Sequence, residues 1–221
     1  RRANRAVAGE HEAEGLLERA GYRVEDRQAR LTWTLTCDDS PLDVELRADL
    51  LVARDGYYRE QRFAEVFALL KRAPDTLTGR LQAIPGVEHV QTRVVAAARL
   101  AVPGFTDPVI GTLVSIPGNR PPQLNAFHLR RGRLVEAGHD DEVLVNDSFA
   151  DEHGLQPGDH LTATINGRRK QLTIVGVAMS PEYMYAIAPG AVFPDFKRYA
   201  ILWMGRTALA AAYNMEGAFN D

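Results

Sequence analysis

Asp141–Met179 reads DEVLVNDSFADEHGLQPGDHLTATINGRRKQLTIVGVAM, and its reading decides the fold. Glu142 to Val145 is a short apolar run suited to a buried strand. Asn146 or Asp147 is placed to cap a helix, because a side-chain oxygen there can accept an orphan N–H of the first turn. Gly154 is expected to end that helix in the left-handed conformation, with Leu155 as the apolar contact that follows such a cap. Pro157-Gly158-Asp159 turns the chain. Leu161, Ala163 and Ile165 alternate with Thr162 and Thr164, the pattern of a half-buried strand. Asn166-Gly167 is a strong hairpin signal, since both positions tolerate positive φ. Leu172 to Ala178 returns with apolar residues on both faces, which places it centrally in a sheet. The unit is strand, helix, turn, hairpin, and it predicts an α+β fold with a mixed sheet and packed helices.

Outward from that unit the chain is average in composition. Of 221 residues, 45% are hydrophobic and 25% charged, and the net charge is −3. These values fit a globular protein with one large or two small domains. No basic stripe marks a nucleic-acid binder, since acids lie among Arg1, Arg2, Arg5 and Arg23. Cys37 is the sole cysteine, so no intramolecular disulfide forms, and its Thr-Leu-Thr-Cys setting is that of a small buried residue. No apolar run reaches the roughly 18 residues that a membrane span needs. No signal peptide is visible.

Toward the N-terminus, Arg1 to Leu17 reads as a helix stopped by Gly21. Tyr22 and Val24 begin a strand, Leu31 to Thr36 is a second, Asp38-Asp39-Ser40-Pro41 a turn, and Val44 to Ala53 a third strand before Asp55-Gly56. From Tyr58 to Leu70 the apolar residues Phe63, Val66, Phe67 and Leu70 fit a helix, and Phe63, Phe67 and Leu69 one side of a strand; periodicity leaves both open. Pro74 suits the first turn of a helix, with Leu77, Leu81 and Ile84 as its buried stripe and Pro85-Gly86 as its end. Val87 to Val102 is expected as one long strand and Pro108 to Ile116 as its partner. Ile201 to Met204 reads as a short strand, and Arg206 to Tyr213 as an alanine-rich helix.

Chemistry-bearing patterns are scarce. There is no G-x-S-x-G elbow, no phosphate-binding GxxxxGK[ST] loop and no HExxH. Asp151, Glu152, His153, Asp159 and His160 cluster around the GLQPGD turn, where helix-end and turn chemistry explains them. His139-Asp140-Asp141 reads as a solvated loop. No catalytic, cofactor-binding or metal-binding residue is assigned, and no cofactor is expected.

Two resemblances add to this. GEHEAEGLLERAGYRV and RADLLVARDG resemble the start of PD-(D/E)XK nucleases and Holliday-junction-resolvase-like proteins. That likeness implies an incomplete nuclease-like α/β segment over residues 1–56, with Glu10, Asp49 and Glu65 as metal-binding acids around Mg²⁺. Phe67 stands where that family has its lysine.

The central unit, its GLQPGD turn and LTIVGVAMSPEYMY resemble the extracytoplasmic core of ABC transporter permeases, the MacB-like and FtsX-like membrane subunits. YYREQRFAEVFALLKRAP is similar to the exit from their first membrane helix, leading into the core from about Phe63. PPQLNAFHLRRGRL is similar to the segment before their "gR" turn. The likeness spans about Tyr57 to Asp221. It implies a non-catalytic domain on the periplasmic side of a bacterial inner membrane, which transmits ATP-driven movement for export or lipoprotein release. The implied partners are the protein's own membrane helices, a cytoplasmic ABC ATPase, a second permease copy and a periplasmic adaptor, with no nucleic acid. A strand is implied after AFND, so the domain is expected to be truncated at that end. The change of texture near Asp55-Gly56 also allows a chimeric chain or a metal-dependent nuclease segment.

The stretch SPEYMYAIAPGAVFPDFKRY carries Tyr183, Tyr185, Phe193, Phe196 and Tyr199 among three prolines. It is too irregular for one element and too apolar for disorder. It covers an edge of the sheet or offers a partner surface through Tyr183, Tyr185, Phe193 and Phe196.

Overall fold

A computed structural model describes the backbone of residues 24–37 and 40–52, and residues 61–184, 186–191 and 193–221 with their side chains. The chain divides into two compact units, Arg1–Glu60 and Gln61–Asp221. In the first, β1 (Val24–Cys37) and β2 (Ser40–Val52) pair antiparallel. The strand expected to begin at Tyr22 and Val24 and the one expected at Leu31 to Thr36 are one continuous strand from Val24, Tyr22 lying outside the described residues, and Ser40 and Pro41, expected in a turn, open the next. The expected helix Arg1 to Leu17 lies outside the described residues.

In the second unit, β7 (Glu142–Asn146), α2 (Asp147–His153), β8 (His160–Ile165) and β9 (Arg168–Met179) follow the expected order. Gly154 is left-handed at φ 66°, and the Leu155 N–H donates to the Ala150 carbonyl at 2.8 Å, closing the helix. Asn166 and Gly167 take φ 46° and 78°, the two positive values of a tight hairpin turn.

Around this unit stand β4 (Val95–Ala101), β5 (Val109–Ile116), β6 (His128–Gly132), β10 (Tyr199–Gly205) and α3 (Arg206–Ala212). The pairings β9–β7–β10–β5–β4–β8 return to β9, so six strands close into a ring, with β6 added along the second half of β9. β7–β9 and β10–β5 are parallel and the other pairs antiparallel, which makes the sheet mixed. β7 is buried along its whole length because strands flank it on both sides. The α+β class is as expected.

Alternation along the strands yields two apolar layers. Leu113, Val143, Leu161, Leu172, Ile174, Leu202 and Met204 form the inner one, joined by Phe149 of α2 and Leu209 of α3. Val114, Leu144, Val175, Ile201 and Trp203 face the other way, covered by Phe127, Val135 and Ala186. Between Val143 and Leu144, β9 carries an extra residue, Val175. This bulge keeps Ile174 and Val177 in one layer. Gly132 crosses it at φ 80°, and a Cβ there would lie 2.2 Å from the Val175 carbonyl oxygen. The glycine of the RRGRL segment is therefore demanded by close backbone approach.

Four expectations fail for identifiable reasons. Asn146 does not cap α2 with its side chain; its Oδ1 accepts the Ile201 N–H at 2.9 Å, tying β7 to β10. Residues 61–72 form neither helix nor strand beyond a turn at 61–62. Their hydrogen bonds go to residues 125 and 126 and to Asn220, and Val66 and Leu69 are 82% and 78% exposed, so no apolar face is buried. Pro74 lies in the short strand β3 (Ala73–Pro74) instead of a helix; α1 spans Leu77–Gln82, buries no residue, and leaves Ile84 exposed. The strand expected from Val87 begins only at Val95, because Val94 and Arg93 bond to the Ser115 hydroxyl and the chain's last residues.

Candidate functional site

The aromatic stretch begins where β9 ends. The Ser180 hydroxyl accepts the Glu182 N–H at 3.3 Å with Pro181 at the first position, the composition that starts a short helical turn. That turn sets the Tyr183 ring against Trp203, with centroids 6.1 Å apart, and Trp203 in turn meets Phe127 at 5.3 Å. Burial pushes the Tyr183 hydroxyl well up, with the neighbouring Glu182 charge adding to it. Ala188-Pro189-Gly190-Ala191 then turns the chain, with Gly190 at φ 83° and the Ala191 N–H donating to the Ala188 carbonyl. At the far end Asp195 accepts the N–H groups of Lys197 and Arg198, Arg198 pairs with Asp107, and the Tyr199 hydroxyl bonds Thr112 at 2.8 Å.

The four surface candidates are placed differently. Tyr183 and Phe196 are half-buried, Phe193 is 78% exposed, and Tyr185 lies outside the described residues. Met184 and Ile187, which the sequence does not single out, are exposed beside them. The stretch is pinned at both ends, buries Ala186 between them, and exposes Met184, Ile187 and Phe193.

Beneath its first turn lies a group that pattern reading misses. Arg93 donates through Nη1 and Nη2 to both Glu182 oxygens, at 2.6 and 2.9 Å, and through Nε to Asp221 at 2.5 Å. The side chains of Arg93, Glu182 and Asp221 are 8%, 13% and 7% exposed. Burial opposes the Arg93 charge, but the bidentate bond and charge of Glu182, with Tyr183 and Asp221 behind it, outweigh that, so its pKa is raised. The same guanidinium lies 5.9 Å above the Phe67 ring.

The Arg93 main chain bonds the last residues too: its N–H donates to the Asp221 carbonyl and its carbonyl accepts from Asn220. The Asn220 side chain imitates a strand by accepting the Val95 N–H and donating to the Val95 carbonyl, each at 2.8 Å. Beyond it, β11 (Ala218–Phe219) pairs antiparallel with β3, and the Leu70 N–H donates to the Asn220 carbonyl. Arg206 closes this seam with bonds to the carbonyls of Thr92 and Ala218 and to Asp75. Residues 70–75, 92–95 and 217–221 therefore run side by side. A lone arginine in the β-patterned HVQTRVV run was the one available signal.

The polar clusters have structural partners. Asp151 pairs with Arg131, Glu152 with Lys197, and His153 bonds the Lys197 carbonyl between the rings of Phe105 and Phe149. Asp159 accepts the Gln156 N–H, and His160 lies 3.3 Å from the Thr173 hydroxyl. Asp141 accepts from that hydroxyl, the Asp140 carbonyl accepts from Lys170, and His139 stands near Glu136 and Glu142. Among the described residues, no three or more His, Cys, Asp or Glu groups could hold a metal ion. Glu10 and the Asp49 side chain lie outside the described residues; Glu65 is exposed, and the Phe67 ring packs edge-on to Phe63. Among the described residues, no helix is long and apolar enough to cross a membrane.

No family model and no curated protein matches the sequence. Solved structures do. The extracellular domain of the noncanonical ABC-type transporter YknZ from Gram-positive bacteria is 13% identical, with 65% of this chain and 67% of that one covered and a TM-score of 0.43. The periplasmic region of MacB from Actinobacillus actinomycetemcomitans is 13% identical, with 69% and 62% covered and a TM-score of 0.39. The chain thus spans under two thirds of the MacB region's length. Both superpositions are loose.

Proposed function

We propose that residues 57–221 are the extracytoplasmic domain of an ABC transporter permease subunit. In this reading the domain does no chemistry. It relays movement driven by a cytoplasmic ATPase, for export or lipoprotein release. The observation that carries the reading is the side-by-side pairing of residues 70–75 with 217–221. Because these two segments, far apart in sequence, lie side by side, a displacement applied to either reaches the ring of strands at one place. The ordered resemblance of the central hairpin unit supports it. So does the exposed apolar run Val66, Phe67, Leu69 and Leu70, which lies in the segment entering that paired end. A ring of strands moves as one body, which suits a part that passes on displacement.

The partner surface in this reading is the middle of the aromatic stretch, around Phe193. The partner is the second permease copy or a periplasmic adaptor. The test is a photo-crosslinking side chain at Phe193 in the intact membrane assembly, with transport measured in parallel. A crosslink to either partner, with Phe193→Ser lowering transport and leaving the melting temperature unchanged, is the expected result. A protein found in the cytoplasm, unaccompanied by any ATPase or membrane partner, contradicts the reading.

A further inference from the structure

Arg93 has an arrangement that packing alone does not require. Its backbone holds the chain's last two residues, one guanidinium edge holds Asp221, and the other holds Glu182 at the start of the aromatic stretch. Two distant segments thus share one buried cation. Residues 217–221 are held laterally by pairing with β3, by backbone bonds to Leu70, Asp75 and Arg93, by the side chains of Asn220 and Arg206, and by the burial of Ala218 and Phe219. The first turn of the aromatic stretch is held by Ser180, by Tyr183 against Trp203, and by the two Glu182–Arg93 bonds.

We propose that Arg93 is a latch through which residues 217–221, paired with residues 70–75, set the position of the aromatic stretch. While residues 217–221 lie along residues 92–95, they cover Arg93, and its bidentate bond to Glu182 is made away from water. Lifting those residues removes Asp221 and admits water to the guanidinium. A buried, doubly bonded ion pair then becomes a surface pair, which holds little. The turn Pro181–Tyr183 loses its anchor, and Tyr183 is free to leave Trp203. The coupling is reciprocal: whatever pulls Glu182 outward loosens the chain end by the same factor. This makes the latch a regulator of the partner surface around Phe193, and its functional meaning rests on that reading. The latch itself is testable without any partner.

The experiment is hydrogen exchange on the full chain, comparing wild type with Asn220→Ala and Glu182→Gln. Asn220→Ala removes two bonds to Val95 and touches no residue of the aromatic stretch. It is expected to speed exchange in a peptide covering residues 181–191 by about tenfold, the scale of a lost hydrogen bond or two, with residues 172–177 unchanged. Glu182→Gln is expected to speed exchange at residues 217–221 in return. A rise confined to each variant's own segment overturns the latch. So does a uniform rise that includes residues 172–177, since the ends and the stretch would then open only with the whole unit. Neither result bears on the crosslink from Phe193, so failure of the latch and failure of the partner reading are told apart.

Discussion

The ring of strands and the seam around Arg93 are both buried, and they are held by opposite means. The ring is apolar: Phe149, Leu113, Leu161, Leu202 and Met204 are sealed from water, and their contribution scales with the area they hide. The seam adds polar ties to the buried Ala73, Val94, Ala218 and Phe219, and part of its contribution depends on three charges and two side-chain amide bonds meeting in register. An apolar layer loses stability gradually as it is disturbed. A buried ion pair loses its worth abruptly when one partner leaves, because the other is stranded. In the latch proposal the ring is the part that stays and the seam the part with two states.

The sharpest way to break the comparison lies where the ring is tightest. Gly132→Val sets a branched side chain at φ 80° against the Val175 carbonyl. It is expected to cost more than about 4 kcal/mol, seen as loss of the folded chain on expression or of its cooperative melt. Phe149→Ala and Arg93→Ala sharpen the contrast, each at about 3–5 kcal/mol. Urea melts separate them: Phe149→Ala should lower the midpoint alone, whereas Arg93→Ala should also release the 181–191 peptide to exchange below the transition. Gly154→Val is smaller, at about 1–2 kcal/mol, because its Cβ meets nothing and only the left-handed backbone is strained. A variant that melts as wild type does contradicts that cap.

The smallest effect expected is a pH dependence. The bidentate bond from Arg133 holds Glu142 below the usual carboxylate range, against the opposing pull of burial, and the Glu136 N–H assists. A depressed folded pKa gives stability that is present above the unfolded pKa of about 4.3 and is lost as pH falls through the folded value. Glu142→Gln should therefore flatten the acid limb of a stability curve and leave its slope near neutrality unchanged.

The same contrast explains what the sequence discloses. β7, α2, β8 and β9 are legible because Gly154, Pro157-Gly158 and Asn166-Gly167 act within a few residues of themselves. Ring closure is not, since β4 meets β8 through Arg99, Leu100 and Ala101, far away along the chain. The seam is hidden for a related reason: Arg93 looks like one residue of a long strand, and its partners Glu182 and Asp221 lie in segments with no regular pattern. Asn146 illustrates the competition, as a cap by local rules and a strand-to-strand tie in the fold. The aromatic stretch is half legible: its irregularity is plain in the sequence, while the separation of the packed Tyr183 from the exposed Phe193 depends on the distant Trp203.

Native-state hydrogen exchange across the full chain tests the division between ring and seam most directly. The amides of Leu172 to Val177, in a strand that pairs with β8 up to Thr173, with β7 from Thr173 onward and with β6 at Gly176 and Val177, should be among the slowest, opening only with global unfolding. Those of residues 217–221 and 181–191 should exchange faster and together, through a smaller opening. Fast exchange at Leu172 to Val177, or equal protection in ring and seam, would contradict it.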